Sequence, residues 1–418
     1  MDKNRPPVLA DKKTCTGCSA CANICPNQSI RMLAGKDGFL YPSINTDTCI
    51  NCLACEKTCP VVSPVDISAN SQHPKVYACW NKDKEIRAAS SSGGAFSALA
   101  SAILSEGGIV AGAAYDDKMH VAHRICNSID NLDSLRGSKY VQSCVGDAFK
   151  VIQQHLNEGK MVLFVGTPCQ NAGLRKFLKK GYPNMFFCDF ICHGTPSPLL
   201  FQRYLEWIEK SKGIKIATFN FRSKKSGWYD AVRMVNNAKI MKGKYDAYFY
   251  GFNRNYTLRE SCYNCPEIGL PRIADITIAD FWGIGMKYRF DKIGEIKNGI
   301  SLVMLNNAKG EALFEKAKKF INYRIGCFDE ALAHNMPMIK PSTRPAERDR
   351  FYADMAASMD FDALRSKYLE IKGKARIIAW LRENAPYILV TKLRELNQIL
   401  KFKLNGSKTI PQQSEYQE

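Results

Sequence analysis

The sequence predicts an α/β protein, α+β overall, built from a small cysteine-rich module, a core around a mixed or parallel sheet, and a helical C-terminal tail. Three observations carry that prediction. Eight of the 17 cysteines fall in the first 60 of 418 residues, as two copies of one motif. Between 76 and 191 short apolar runs alternate with an amphipathic stretch, the texture of β-α-β units. Beyond about 346 cysteine disappears and basic, helix-forming sequence takes over. The length suits two or three domains. No uninterrupted apolar run approaches the roughly 18–20 residues of a membrane span. The start, Met1-Asp2-Lys3-Asn4-Arg5-Pro6-Pro7, has no apolar stretch behind its charges, so a secretory signal is not expected and the expected compartment is the cytoplasm.

In chain order, the cysteine module occupies 1–62, and the Pro- and Ser-rich stretch 63–75 lacks periodicity and reads as a linker. The run 76–80 is an expected strand, 95–104 a helix and 109–113 another strand within a segment 76–158. From 159 to 345 the pattern is apolar at 161–165, helical at 172–180 and apolar again at 185–191. That is one β-α-β unit with parallel, buried strands. The tail, 346–418, has eight basic and two acidic residues at 372–403, interleaved with Leu389, Leu393, Leu396 and Leu400 on one helical face. Packing on its own domain, contact with anionic lipid and docking to an acidic protein all fit that stripe. Residues 412–418 read as disordered.

Each N-terminal motif is C-x2-C-x2-C-x3-C-P, and the second lies 34 residues after the first. Three closely spaced thiolates converge on one iron–sulfur cube, and the fourth, before Pro, reaches the neighbouring cluster. The expected ligation is crossed: Cys15, Cys18, Cys21 and Cys59 for one 4Fe-4S cluster, Cys49, Cys52, Cys55 and Cys25 for the other. A pair of zinc sites would explain neither the third Cys nor the Pro. Four further cysteines form a second pattern. Cys169 and Cys192 each follow a strand of the β-α-β unit, on the edge where open α/β sheets bind ligands, and Cys262 and Cys265 make a C-x2-C-P pair. Spacing alone leaves a third cluster, a zinc site and unlinked thiols open. Cys79, Cys126, Cys144, Cys188 and Cys327 are expected to be small buried hydrophobes.

Two short stretches suit a nucleotide. Ser90-Ser91-Ser92-Gly93-Gly94-Ala95 opens a helix after a strand and a charged loop, and is either an anion cradle or a plain helix cap. Gly137-Ser138-Lys139-Tyr140 joins a hydroxyl, a cation and a ring in one loop, or is a solvated turn. Gly283-Ile284-Gly285 is not a dinucleotide fingerprint, since no third glycine and helix complete it.

Taken in order, SSSGGAFSAL (90–99), GSKYVQS (137–143), GTPCQ (166–170), DFICHGTPSP (189–198), CYNCP (262–266) and ADITIADFWG (274–283) resemble the coenzyme F420 hydrogenase/dehydrogenase beta subunit family. The resemblance runs from about residue 10 to about 340 and implies an FAD-containing iron–sulfur oxidoreductase with a fused two-cluster ferredoxin domain. It implies a third 4Fe-4S cluster on Cys169, Cys192, Cys262 and Cys265, and FAD near Ser91, Ser92, Gly93 and Gly94 and near Gly137, Ser138, Lys139 and Tyr140. Gly166 and Thr167 would lie beside the Cys169 cluster. Segment 76–158 would be the flavin-binding portion, and 159–345 the portion with the third cluster, flavin and substrate site.

The expected function is passage of electrons through 4Fe-4S clusters to FAD and on to a small organic substrate, with ferredoxin as donor. An electron-input subunit of a larger complex and a coenzyme F420 dehydrogenase or reductase are the alternatives. His193 is the nearest proton donor by sequence, though hydrogen bonding of the cluster loop fits it as well, and Trp282 and Tyr140 either stack on a flavin or simply pack. The balance of 59 Lys+Arg against 40 Asp+Glu gives +19. Three clusters and an FAD would offset about eight of those charges. The remainder suits an acidic electron donor, such as ferredoxin or a hydrogenase or dehydrogenase subunit, or an anionic substrate better than it suits nucleic acid.

Overall fold

The computed structural model describes residues 5–229, 231–242, 246–371, 373 and 396. The N-terminal repeat builds two equivalent turns. Ser19 takes a left-handed conformation (φ 64°) and opens helix α1 (Ala20–Ile24), which ends at extended Cys25. At the repeat distance Leu53 (φ 58°) opens α2 (Ala54–Thr58), which ends at extended Cys59. The antiparallel hairpin of β1 (Ile30–Ala34) and β2 (Leu40–Ile44) lies between them in sequence. Residues 63–74 form neither helix nor strand, yet Asn70 Nδ2 donates to the Arg272 carbonyl at 2.6 Å and Ser71 N–H to that of Asn306 at 2.8 Å.

The remaining strands are β3 (Lys75–Asn81), β4 (Ile109–Tyr115), β5 (Val121–Cys126), β6 (Val162–Val165), β7 (Met185–Phe190), β8 (Phe219–Ser223), β9 (Val232–Val235), β10 (Ala238–Lys242), β11 (Ile276–Asp280), β12 (Ser301–Leu305) and β13 (Ile321–Ile325). Strands β8, β9 and β10 make an antiparallel sheet of their own. The large sheet runs β13-β3-β12-β11-β7-β6-β4-β5. Its β4, β6, β7 and β11 are mutually parallel, and the other pairings are antiparallel. Strands from 76–158 and from 159–345 therefore interleave in one sheet.

The helices of this body are α3 (Lys84–Ala89), α4 (Ala95–Leu104), α5 (Ala148–Asn157), α6 (Pro168–Leu178), α7 (Pro198–Lys212), α8 (Ala247–Asn253), α9 (Ala308–Ala317), α10 (Phe328–Ala333), α11 (Arg348–Ala356) and α12 (Phe361–Leu364). The central strands are largely apolar because both faces are covered, and the buried Asp189 of β7 accepts from Arg272 and Thr277. Val110, Leu163, Phe186 and Cys188 pack with α4 and α9 on one face. Their neighbours Ala111, Val162, Phe164 and Phe187 pack with α5 and α6 on the other.

Three expectations change. The charged loop before Ser90 contains α3, started by Asp83, whose side chain accepts from the Glu85 and Ile86 amides. Helix α6 begins at Pro168 rather than 172, because Thr167 and Gln170 form a capping box and Pro168 occupies the first turn. Cys144 is exposed, while Cys79, Cys126, Cys188 and Cys327 are buried. The start of the tail belongs to the body: Phe351, Met355, Phe361 and Leu364 are buried in the cluster that contains α7 and β8 residues. The rest of the tail, 372–418 with Leu389, Leu393, Leu400 and the end 412–418, lies outside the described residues apart from Gly373 and the exposed Leu396. Among the described residues no helix is long and apolar enough to cross a membrane.

Candidate functional site

Cys15, Cys18, Cys21 and Cys59 line one small hollow, so the last cysteine of the second motif stands with the first three of the first. On the other side Cys25 and Cys52 are the thiols nearest in effect to Cys55. Cys49 is half-buried, with Sγ 3.5 Å from Asn51 Oδ1. Burial pushes the Cys18 thiol up to about 12, and Cys169, Cys15 and Cys59 add to that push. Burial likewise raises Cys55 to about 11. Crowded thiols this hard to ionise fit a metal centre, whose positive charge reverses the shift. Among the described residues no three His, Cys, Asp or Glu side chains close round a single ion.

The second thiol group is assembled by the parallel strands. Strands β6 and β7 end on the same edge; Cys169 is the second residue of α6, directly beyond β6, and Cys192 lies just past β7. Cys262 rides on a 3-10 helix (Glu260–Asn264) that ends at Cys265. Cys169, Cys262 and Cys265 line a hollow of about 80 Å³. All three raise the pKa of Cys192, after burial itself. Cys188 stays in the strand core, fully buried. Thr167 Oγ1 lies 3.1 Å from Cys169 Sγ. A Cβ on Gly166 would meet the Phe164 ring at 2.8 Å, so the residue's bareness keeps this turn tight.

Sequence reasoning missed Arg259. It is 1% exposed, its Nε donates to the Cys15 carbonyl at 2.7 Å, and it lines the Cys169 hollow. Its Nη1 and Nη2 are buried without a hydrogen-bond partner among the described residues. The guanidinium therefore stands between the two thiol groups, with N–H groups left over. A lone Arg has no spacing pattern, and nothing in the sequence marked it.

A cavity of about 720 Å³ opens at the same strand edge, within the range of cofactor and ligand pockets, roughly 300–1,000 Å³. Ser91, Ser92 and Gly94 line it, as do Gly137, Ser138, Lys139, Tyr140, Thr167, Cys192 and His193. Ser138 N–H and Oγ both reach Ser91 Oγ, at 2.9 and 3.1 Å, joining the two sequence stretches. Gly94 caps α4 at φ 92°, a conformation that favours glycine. Gly93 is buried behind the wall, where a Cβ would meet the Cys79 carbonyl and, at 2.6 Å, the Ser301 amide. Lys139 Nζ donates to the Ser134 and Arg136 carbonyls at 3.1 and 2.8 Å. Burial pulls its pKa down to about 7. His193 Nε2 lies 2.7 Å from Asn255 Oδ1, its ring meets Phe252, and burial lowers its pKa. Trp282 stacks on Trp228 at 4.7 Å and 9°, and Trp228 Nε1 donates to Asp280 Oδ1 at 2.7 Å. Tyr140 packs edge-on against Phe221, Phe249 and Phe252.

The three spaces share walls. Thr16 and Gly17 line both the N-terminal hollow and the Cys169 hollow, and Lys139, Val165, Thr167 and Phe190 line both the Cys169 hollow and the cavity.

Comparison with known proteins bears on this arrangement. Residues 14–62 match a family described as "4Fe-4S dicluster domain". Two further matches are to the family described as "Coenzyme F420 hydrogenase/dehydrogenase, beta subunit": residues 76–150 match its N-terminal part and residues 159–326 its C-terminal part. No curated protein matches the chain. Among solved structures, a chain of the F420-reducing [NiFe] hydrogenase complex from Methanosarcina barkeri is 14% identical, with a TM-score of 0.44, over 72% of this chain and 93% of that one. The two beta-subunit matches together take in more than half of the sequence, so the chain belongs to the coenzyme F420 hydrogenase/dehydrogenase beta subunit family, a family of oxidoreductase subunits, in a form that begins with a 4Fe-4S dicluster domain.

Proposed function

We infer that the protein is an iron–sulfur flavoprotein oxidoreductase that takes electrons at its N-terminal module and delivers them to an organic acceptor in the cavity. The observation that carries this reading is the shared walls, which set the N-terminal thiols, the Cys169 group and the cavity in a row. Bound 4Fe-4S clusters supply one-electron transfer, and a bound FAD supplies two-electron chemistry.

The chain's own residues have separable tasks in this reading. Cys15, Cys18, Cys21 and Cys59 hold one cluster, Cys49, Cys52, Cys55 and Cys25 the second, and Cys169, Cys192, Cys262 and Cys265 a third. Ser91, Ser138, Lys139 and the α4 N-terminus receive the anionic part of FAD. The half-buried ammonium of Lys139 favours that anion, because a negative charge reverses the cost that burial imposes. His193, held by Asn255 beside the cavity, is the candidate to move a proton to the acceptor. The donor side lies on the second cysteine set, where Cys52 is exposed and neighbouring Ile50 is 59% exposed, a surface suited to a redox partner such as ferredoxin.

Anaerobic purification with iron, sulfide and flavin quantitation tests the reading. About twelve irons and one FAD per chain are expected, and roughly eight irons would remove the third cluster. A colourless protein loaded with zinc would overturn the whole assignment. Turnover of a small acceptor by the isolated protein separates an enzyme from an electron-input subunit.

A further inference from the structure

Among the described residues, two cations of the cavity wall, Lys139 and Arg233, have no carboxylate partner, and they come from different elements. Lys139 stands in the 137–140 loop beside Ser91 and Ser138, where the FAD anion is placed above. The other, Arg233 on β9, has no role in that reading. It is 1% exposed and lines the cavity. Its Nε and Nη2 are buried without a hydrogen-bond partner among the described residues. The guanidinium lies over the Phe249 ring, 3.8 Å from its centroid.

The other guanidiniums on this wall are satisfied. Arg222 pairs with Asp280, and Arg136 pairs with Asp133 and donates to Ser97 Oγ at 2.9 Å. Asp246 is the carboxylate whose charge acts most on Arg233. It is already engaged, accepting from the Tyr204 hydroxyl at 2.5 Å and the Phe249 amide at 3.0 Å. A buried guanidinium with idle N–H groups is costly unless an anion completes it, and its planar fork matches an oxyanion. The stacked Trp228 and Trp282 line the same cavity and offer apolar surface.

We propose that Arg233 is the anion-binding residue for the organic substrate, so that the cavity takes a molecule with an apolar body and a carboxylate or phosphate group. The word substrate rests on the flavin reading above; the anion site itself does not. Lys139 serves the cofactor's anion and Arg233 the substrate's.

The test is titration calorimetry on the anaerobically purified full chain with benzoate, phenyl phosphate and the neutral benzamide. The parent, Arg233→Met and Arg233→Lys are compared, and flavin is quantified in each. The parent should bind benzoate or phenyl phosphate about tenfold or more tighter than benzamide, the gain expected of a charge-assisted hydrogen bond. The tighter of the two names the group. Arg233→Met should abolish the preference and Arg233→Lys keep part of it, with flavin content equal in all three. Equal binding of benzoate, phenyl phosphate and benzamide by the parent, or no binding of any, overturns the proposal. So does an Arg233→Met protein that keeps the preference, or one that loses flavin together with it, since the latter hands Arg233 to the cofactor. If Arg233→Met does not fold, the parent and Arg233→Lys decide. A parent without flavin refutes the flavin reading, while the calorimetry still tests the anion site.

Discussion

Buried next to the Cys169 hollow, His123 stacks on Phe164 at 5.1 Å, and Ser143 Oγ lies 3.1 Å from its Nδ1. Burial drives its pKa down to about 4. The native state therefore refuses a proton that the unfolded chain accepts near its ordinary value, about 6.5. Stability from this group is fully present above pH 6.5 and is lost as pH falls toward 4, amounting to about 2 kcal/mol by pH 5. Urea midpoints of the parent and His123→Gln at pH 7 and pH 5 check this, with a smaller acid loss expected in the variant. Equal losses would contradict it. Residues of this kind were not legible in the sequence. The twelve candidate ligand cysteines stand out in the sequence by their spacing, as clusters would require of chain neighbours, and by the beta-subunit motifs. His123, Arg233 and Arg259 owe their roles to burial and to groups far away in the chain, which leave no local pattern.

Helix α6 joins the parts of the molecule. Its N-terminus carries Cys169 behind the Thr167 cap, and its middle packs on the N-terminal module. At the contact Gly173 faces Cys18, and a Cβ there would come within 2.9 Å of the Cys18 Cβ and Sγ. Gly173→Ala should cost about 1–3 kcal/mol through overpacking. It should also lower iron content by loosening the Cys18 hollow. Gly181→Ala, where nothing lies within 4 Å, should stay within about 0.5 kcal/mol. Chemical denaturation with iron quantitation of both variants measures this, and equal behaviour of the two would refute the close-approach argument. At this scale the sequence read well where periodicity was strong. Helix α4 spans the expected 95–104, and β6 and β7 pair in parallel as the β-α-β pattern requires. The start of α6 was written in Thr167-Pro168-Cys169-Gln170, a capping box that an apolar-periodicity reading passes over. Strand β12 was not legible in its place, since nothing local in 301–305 says that it inserts between β3 and β11.

Across the whole molecule, a mixed sheet sets four parallel strand ends on one edge, and the Cys169 group and the cavity both gather there. The N-terminal module docks against that edge through bonds such as Arg259 Nε to the Cys15 carbonyl and Asn23 Nδ2 to the Gly146 carbonyl, at 2.7 and 2.8 Å. The net charge of +19 fits this order, because the cofactors and substrate proposed for these spaces are all anionic. The central claim is that electrons entering at the N-terminal thiols reach the cavity by way of the Cys169 group. Its most direct measurement is anaerobic bleaching of the flavin by reduced ferredoxin in the parent and in Cys262→Ser, followed by absorbance and by the EPR signal of the clusters. The parent flavin should bleach. Cys262→Ser should lose roughly a third of the iron and keep its FAD, with the N-terminal clusters reduced and the flavin left oxidised. A Cys262→Ser flavin that bleaches at the parent's rate would contradict the account.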